Sequence, residues 1–218
     1  MTALRRCDFP WTLAIAGLAI AATAGAFASP GLAGALIADG HIAHGEVWRA
    51  VTGPLVHATW GHLVRDLALV AIAGVGYEAP LRSRRTLLFA GGLVVPPIAV
   101  LAAGEAHWYC GLSGLSHALL AAALAFELVC RRGAVNALVA VLCAVCAAKP
   151  LYELATGAPV FAMALGPGVV QAPLAHAAGA LVGIACGLRA GLDWRYAQTC
   201  DPRRQFLLAP HPPTITVR

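Results

Sequence analysis

The segment AHWYCGLSGLSHALLAAALAF, residues 106–126, contains no Asp, Glu, Lys or Arg. A helix of about 20 apolar residues, rising 1.5 Å per residue, crosses the hydrocarbon core of a bilayer, so this segment is long enough to span one. It is not isolated. Residues 9–38, 86–104, 133–148 and 154–188 are also free of charge, and 67–77 is a shorter window of the same kind. These windows predict helices near residues 10–30, 60–79, 86–104, 112–130, 134–150 and 170–190.

The composition fits that reading. Of 218 residues, 60% are apolar and 11% charged, against roughly 45–50% and about 25% in soluble domains. Mean hydropathy is +0.76. A chain this apolar is not disordered, and a soluble domain of this size cannot bury so much apolar surface. The expected fold class is therefore all-α: a polytopic membrane bundle of six transmembrane helices. Hydrocarbon leaves no water for unpaired backbone groups, and the short alternating segments of a barrel are absent, so the windows are read as helices.

Basic residues set the expected orientation. With the N-terminus in the cytoplasm, Arg5, Arg6, Arg82, Arg84, Arg85, Arg131, Arg132, Arg189, Arg195, Arg203, Arg204 and Arg218 all fall on the cytoplasmic side. Arg49 and Lys149 fall outside, and Arg65 lies within the second helix. Twelve of fifteen on one side is a positive-inside pattern. The net charge of +5 then reads as an insertion signal, and nucleic-acid binding is excluded as its meaning. The expected organisation is a cytoplasmic N-terminus over residues 1–9, a membrane domain over 10–192 and a cytoplasmic tail over 193–218. A rival reading makes the first window a cleavable signal peptide, from Arg5-Arg6, an apolar run and Ala26-Phe27-Ala28. The uncleaved helix is preferred, because cleavage removes a span and spoils the charge balance.

The seven cysteines do not form a disulfide framework. Cys130, Cys143, Cys146 and Cys186 fall in expected helices, Cys7 and Cys200 in cytoplasmic segments, and Cys110 near the outer face. Cys143-x-x-Cys146 has no second pair and reads as small packing residues. No internal repeat is present, and residues 201–218 form a proline-rich tail.

Against this background a few polar residues stand out. Ionisable groups within a bilayer cost about 2.5–3.5 kcal/mol each on insertion scales, so each is a functional hypothesis. His57, His62 and Asp66 open the second helix, with His62 and Asp66 four apart on one face. Ser113 begins the fourth helix within Gly111-Leu-Ser-Gly-Leu-Ser-His117, and His176 precedes Gly179 and Gly183 in the sixth. All three groups enter the outer leaflet at similar depth. A serine flanked by glycines is uncovered enough to act as a nucleophile, and a histidine can take its proton. The same residues taken singly also suit helix packing.

Together they resemble the rhomboid family of intramembrane serine proteases. The resembling features are Trp48-Arg49 in the first outer loop, His57-x4-His62-x3-Asp66 and Gly111-x-Ser113-Gly114. To these add His176-x2-Gly179-x3-Gly183 and the Gly74-x3-Glu78 end of the second helix. The short chain and Ser113-Gly-x-x-His117 are most similar to the bacterial rhombosortase branch. The resemblance implies a Ser113–His176 dyad, with no third carboxylate on the sixth helix. It also implies oxyanion stabilisation by the Ser113 amide and His62. His117 is expected to pack on His176 and position it, or to satisfy a helix carbonyl. His57 is expected near the outer surface, as a loop anchor or a substrate contact. Arg49 and Glu78 resemble a structural pair anchoring the first loop, and Trp48 and Trp60 an interfacial belt. Pro96-Pro97 is expected to kink the third helix.

The family has asparagine where this chain has Asp66, and an ionised carboxylate cannot donate to an oxyanion. Three readings follow. Asp66 is protonated by burial; or it pairs with His62 or Arg65 and holds His62 protonated; or the enzyme is weakened or inactive. The second is preferred because the spacing suits one helix face.

The implied activity is a serine endopeptidase cutting single-span membrane proteins near the outer face. Its expected location is the bacterial inner membrane, with both termini cytoplasmic and the site opening to the periplasm. In the rhombosortase case the substrates are exported proteins with a C-terminal Gly-Gly, a hydrophobic helix and a basic tail. The partners are thus membrane-anchored substrates and the bilayer, with no cofactor and no metal. The alternative is a catalytically inactive rhomboid-like protein that binds clients. A metal site or transporter built from His57, His62, Asp66, His117 and His176 is disfavoured, since its ligands come from separate helices and no His-Glu-x-x-His signature exists.

Overall fold

The computed structural model describes residues 9–130, 137–157, 160, 169 and 171–199. The arginines and cysteines expected at the two termini (Arg5, Arg6, Cys7, Cys200, Arg203, Arg204, Arg218) lie outside the described residues, as do Arg131, Arg132 and the side chains of Cys143 and Cys146. Among the described residues there are eight α-helices, in order α1 (Pro10–Ala28), α2 (Pro30–Leu36), α3 (Arg49–Thr52), α4 (Trp60–Tyr77), α5 (Arg85–Ala102), α6 (Ser113–Cys130), α7 (Ala137–Thr156) and α8 (Pro173–Thr199). Prolines open α1, α2 and α8, where the missing N–H costs nothing. The only strands among the described residues are β1 (Ala38–Asp39) and β2 (Trp108–Tyr109), paired antiparallel with Ala38 opposite Tyr109.

Helices α1, α4, α5, α6, α7 and α8 occupy the six expected windows. Among the described residues, α1, α5, α6 and α8 are each long and apolar enough to cross a membrane. Helix α4 carries Arg65 and Asp66 and makes a fifth span only together with the bent segment Arg49–Leu55 that leads into it at 101°. The chain is an integral, multi-pass membrane protein. Two helices outrun their expected ends. Helix α7 continues past residue 150 because Lys149 and Glu153, four apart, pair with each other at 2.9 Å. Helix α8 continues past residue 192, where the tail was expected to begin. There Asp193 pairs with Arg84 of the α5 N-cap at 2.8 Å and with Arg189 at 3.5 Å.

Helix α6 is the central post: 61% of it is buried, against 22% of α1. Leu112, Leu115, Leu119 and Phe126 pack with Leu63, Val70, Phe89 and Leu93 into one core. Lipid tails are as apolar as these side chains, so helix association here rests on close packing of small residues. Helix α8 supplies that contact. A Cβ placed on Gly179, Gly183 or Gly187 would strike the backbone carbonyl of Gly114, Ala118 or Ala122 respectively. The two series rise together, so α6 and α8 run parallel with their backbones touching. Helix α5 continues through Pro96 and Pro97, and the Pro96 ring lies against Gly114.

Two polar anchors hold the periphery. Glu78, at the end of α4, caps α1: its carboxylate accepts from Trp11 N and Thr12 N, both at 2.9 Å, and from Thr12 Oγ1 at 2.7 Å. Arg49 organises the segment between α2 and α4. It donates to Glu46 at 2.6 Å, to the Ile37 carbonyl at 3.1 Å and to the Gly34 carbonyl. The expected Arg49–Glu78 pair is therefore not formed. The two residues belong to opposite ends of the bundle, and each is satisfied locally.

Replacing Gly183 by valine drives a side chain into the Ala118 carbonyl. The variant is expected to lose about 1–3 kcal/mol of stability, read as a lower Tm in detergent. An unchanged Tm would contradict the close α6–α8 contact.

Candidate active site

The α6–α8 register fixes which residues meet. With Gly179 against Gly114, His176 sits one turn earlier and level with the start of α6. The His117 and His176 rings stack with centroids 4.2 Å apart and planes 14° from parallel. His117 Nδ1 lies 2.7 Å from the Ser113 carbonyl. A carbonyl only accepts, so Nδ1 carries the proton. His117 thus does both things expected of it, stacking on His176 and satisfying a helix carbonyl.

Ser113 is half-buried at the first position of α6. Its neighbour Tyr109, on β2, lays its hydroxyl against the Ser113 side chain and the Gly114 amide. Sequence reasoning did not single out Tyr109. Its only signal is position, four residues before the serine. Among the described residues no hydrogen bond joins Ser113 to His176. Catalytic hydrogen bonds are often long in unliganded sites and tighten with substrate. Burial pushes the nearby Cys110 thiol up to about 12, with the Ala58 backbone hydrogen bond acting the other way, so it is a thiol at neutral pH and no rival nucleophile.

The loop before Ser113 turns at Gly111, whose φ of +100° favours glycine. A Cβ there would also come within 2.7 Å of the His62 ring and 3.3 Å of Asp66 Oδ2. Thr59 caps α4 by accepting from His62 N at 3.1 Å, which sets His62 at the helix mouth. Asp66 Oδ2 stands 3.3 Å from the Nε2 atoms of both His57 and His62, and those two rings meet edge to face at 4.9 Å. This arrangement puts Asp66 within ion-pair distance of His62, with Oδ2 itself short of a hydrogen bond. It leaves His62 Nδ1 buried and without a protein partner, a condition that buried polar atoms seldom keep unless a ligand group completes them.

His57 is not at the surface as expected. It is 1% exposed. Its Nε2 accepts from Leu112 N at 3.3 Å, and its Nδ1 lies 3.2 Å from Thr23 Oγ1, which donates to the Leu55 carbonyl. His57 therefore ties α1 to the amide just before Ser113, a supporting role. Trp48 and Trp60 are half exposed; Trp48 donates to the Ala35 carbonyl and Trp60 rests on Phe27.

The largest departure from expectation is beside His176. Its Nδ1 is 3.0 Å from Glu153 Oε2 on α7, and Lys149 Nζ is 3.2 Å from the same nitrogen. The sequence reading looked for a third carboxylate only on the sixth helix. Glu153 comes from the fifth. Its signal was the Lys149-x3-Glu153 spacing, which fits one helix face; the expected helix ended at residue 150, short of Glu153.

Thr23→Val leaves His57 Nδ1 buried without its partner. The expected cost is about 1–3 kcal/mol, measured by thermal unfolding in detergent. Wild-type stability would contradict the anchoring of His57 through α1.

The family model described as Rhomboid domain matches residues 44–191, which takes in α3 to α7, most of α8 and every site residue named above except Thr23. No curated protein shows a significant match to the chain. The matched region covers well over half of the sequence, and the chain belongs to the rhomboid family.

Proposed function

We propose that the chain is an intramembrane serine endopeptidase with Ser113 as nucleophile and His176 as general base. One observation carries the reading: Ser113, His176 and the unpartnered His62 Nδ1 gather where α4, α6 and α8 begin. The Ser113 hydroxyl attacks the scissile carbonyl and gives its proton to His176 Nε2, the ring nitrogen that α7 leaves free. His176 then returns a proton to the leaving amine. The oxyanion receives the His62 Nδ1–H and the Ser113 amide, each such donor being worth about 2.7–4 kcal/mol. Asp66 keeps the Nε2 proton of His62 in place and takes no direct part.

The substrates on this reading are single-span membrane proteins cut near the face at which the site opens. The Ser113-Gly-x-x-His117 pattern favours the rhombosortase branch, with C-terminal Gly-Gly anchors of exported proteins as substrates. The arginine distribution favours a bacterial inner membrane with both termini cytoplasmic and the site toward the periplasm. Helix α1 remains attached on this reading, since it supplies Thr23 to His57 and Thr12 to Glu78. A second reading, a client-binding protein without activity, draws on one observation: the carboxylate of Asp66 stands where the family carries a donor.

Co-expression with a single-span model substrate tests the proposal. Wild type is expected to cleave and to label with a fluorophosphonate, while Ser113→Ala and His176→Ala do neither. Cleavage by both variants would defeat the dyad, and no Ser113-dependent labelling of wild type would favour the inactive reading. His62→Ala is expected to lower kcat by about 10²–10³-fold. Asp66→Asn is expected to lower kcat; a rise would show that the carboxylate opposes the oxyanion.

A further inference from the structure

Lys149 and Glu153 are a cation and an anion within an apolar helix, and the fold brings both to one nitrogen of His176. Glu153 is fully buried, with Oε2 at 2.9 Å from Lys149 Nζ and Oε1 accepting from Val160 N at 3.2 Å. That fixes the carboxylate from two sides. His176 Nδ1 is then the third group on it, at 3.0 Å.

The proton arithmetic at Nδ1 allows two arrangements. If Nδ1 carries a proton, it donates to Glu153 Oε2, and Nε2 presents its lone pair. If Nδ1 is bare, it accepts from Lys149 Nζ at 3.2 Å, but then faces a carboxylate oxygen as a second acceptor, and Nε2 holds the proton. Only the first arrangement makes His176 a base for Ser113. Glu153 favours it and Lys149 opposes it.

We propose that Glu153 is a positioning residue for His176, holding the Nδ1–H form so that Nε2 faces Ser113, and that Lys149 keeps Glu153 ionised while restraining the charge on the ring. The proposal rests on the Ser113–His176 reading above. During attack the Ser113 proton moves to Nε2, giving an imidazolium whose Nδ1–H still points at Glu153. The Nε2 proton then leaves with the amine, and a water molecule repeats the cycle to free Ser113. Glu153 takes no proton at any step. The pair Lys149–Glu153 is neutral as a unit, which makes its place in the bundle affordable.

The charged and titratable groups facing His176 are His117 from α6, Lys149 and Glu153 from α7 and, through space, Asp66 from α4. Glu105, on the loop after α5, accepts from Leu174 N two residues before it. Only Lys149 and Glu153 are altered in the test. Reconstituted full-length protein is assayed for kcat and KM on a quenched single-span substrate across about pH 5 to 9. Glu153→Gln is expected to lower kcat by about tenfold or more with KM little changed, and to move the acid limb of kcat to lower pH, because the imidazolium loses its anion. Lys149→Met is expected to move the same limb to higher pH. Glu153→Asp is expected to recover part of kcat. A purely structural role predicts neither opposite displacement nor rescue.

Wild-type kcat with an unmoved limb in Glu153→Gln, or displacement of both limbs in one direction, overturns the proposal while wild-type cleavage leaves the protease reading intact. Absence of cleavage by wild type, or cleavage by Ser113→Ala, overturns both. If a single variant fails to fold, the double variant Glu153→Gln with Lys149→Met buries no unpaired charge. It is expected to fold and to remain slow, and wild-type kcat in it overturns the proposal.

Discussion

The backbone contact between α6 and α8 is the constraint on which the rest depends. Gly179, Gly183 and Gly187 place α8 directly on the carbonyls of Gly114, Ala118 and Ala122, with no room for a side chain between them. Helices touching through small residues gain dispersion over a long seam, which in lipid replaces the hydrophobic drive of a water-soluble core. The seam also sets register. Because the helices run parallel and in step, His176 arrives beside His117 and level with Ser113. A slip by one residue would rotate His176 off that face by about 100°.

Around the seam, polar groups are satisfied in small closed sets. Glu78 caps α1 and Arg49 gathers carbonyls ahead of α3. His57 takes the Leu112 amide, and Glu153 stands between Lys149 and His176. Each set joins segments distant in sequence, so each fixes a helix position as well as neutralising a charge. The departures beside Ser113 are His62 Nδ1 and Asp66 Oδ2, both buried and without a hydrogen-bond partner. On the proposed reading, a substrate atom beside Ser113 completes the open nitrogen of His62.

Much of this was legible in the sequence, for a physical reason. Spanning helices are long and apolar, so six windows free of charge located six helices, of which four among the described residues are by themselves long and apolar enough to span, and the few polar residues within them are those proposed for the site. Ser113, His176, His62 and Asp66 stood out because so little else was polar. Where the reading failed, partners came from a different segment. Lys149 was read only as a charge on the outer side and the helix was ended at residue 150, because charge alone does not reveal that Glu153 continues the helix and meets a third residue there. Glu78 and Arg49 looked like a pair, yet Glu78 found two amides on α1 that any sequence could offer. His57 looked superficial, since the Thr23 hydroxyl and Leu112 amide that bury it lie 34 and 55 residues away. Tyr109 had no pattern to mark it.

The central claim is that the starts of α4, α6 and α8 together form an oxyanion-binding serine protease site. The most direct measurement is an experimental structure of the protein inactivated by a peptide inhibitor with an electrophilic carbonyl. The account predicts a covalent bond from Ser113 Oγ to the inhibitor, with the former carbonyl oxygen within hydrogen-bonding distance of His62 Nδ1 and the Ser113 amide. A bond to another residue, or an oxygen turned away from His62, would contradict it.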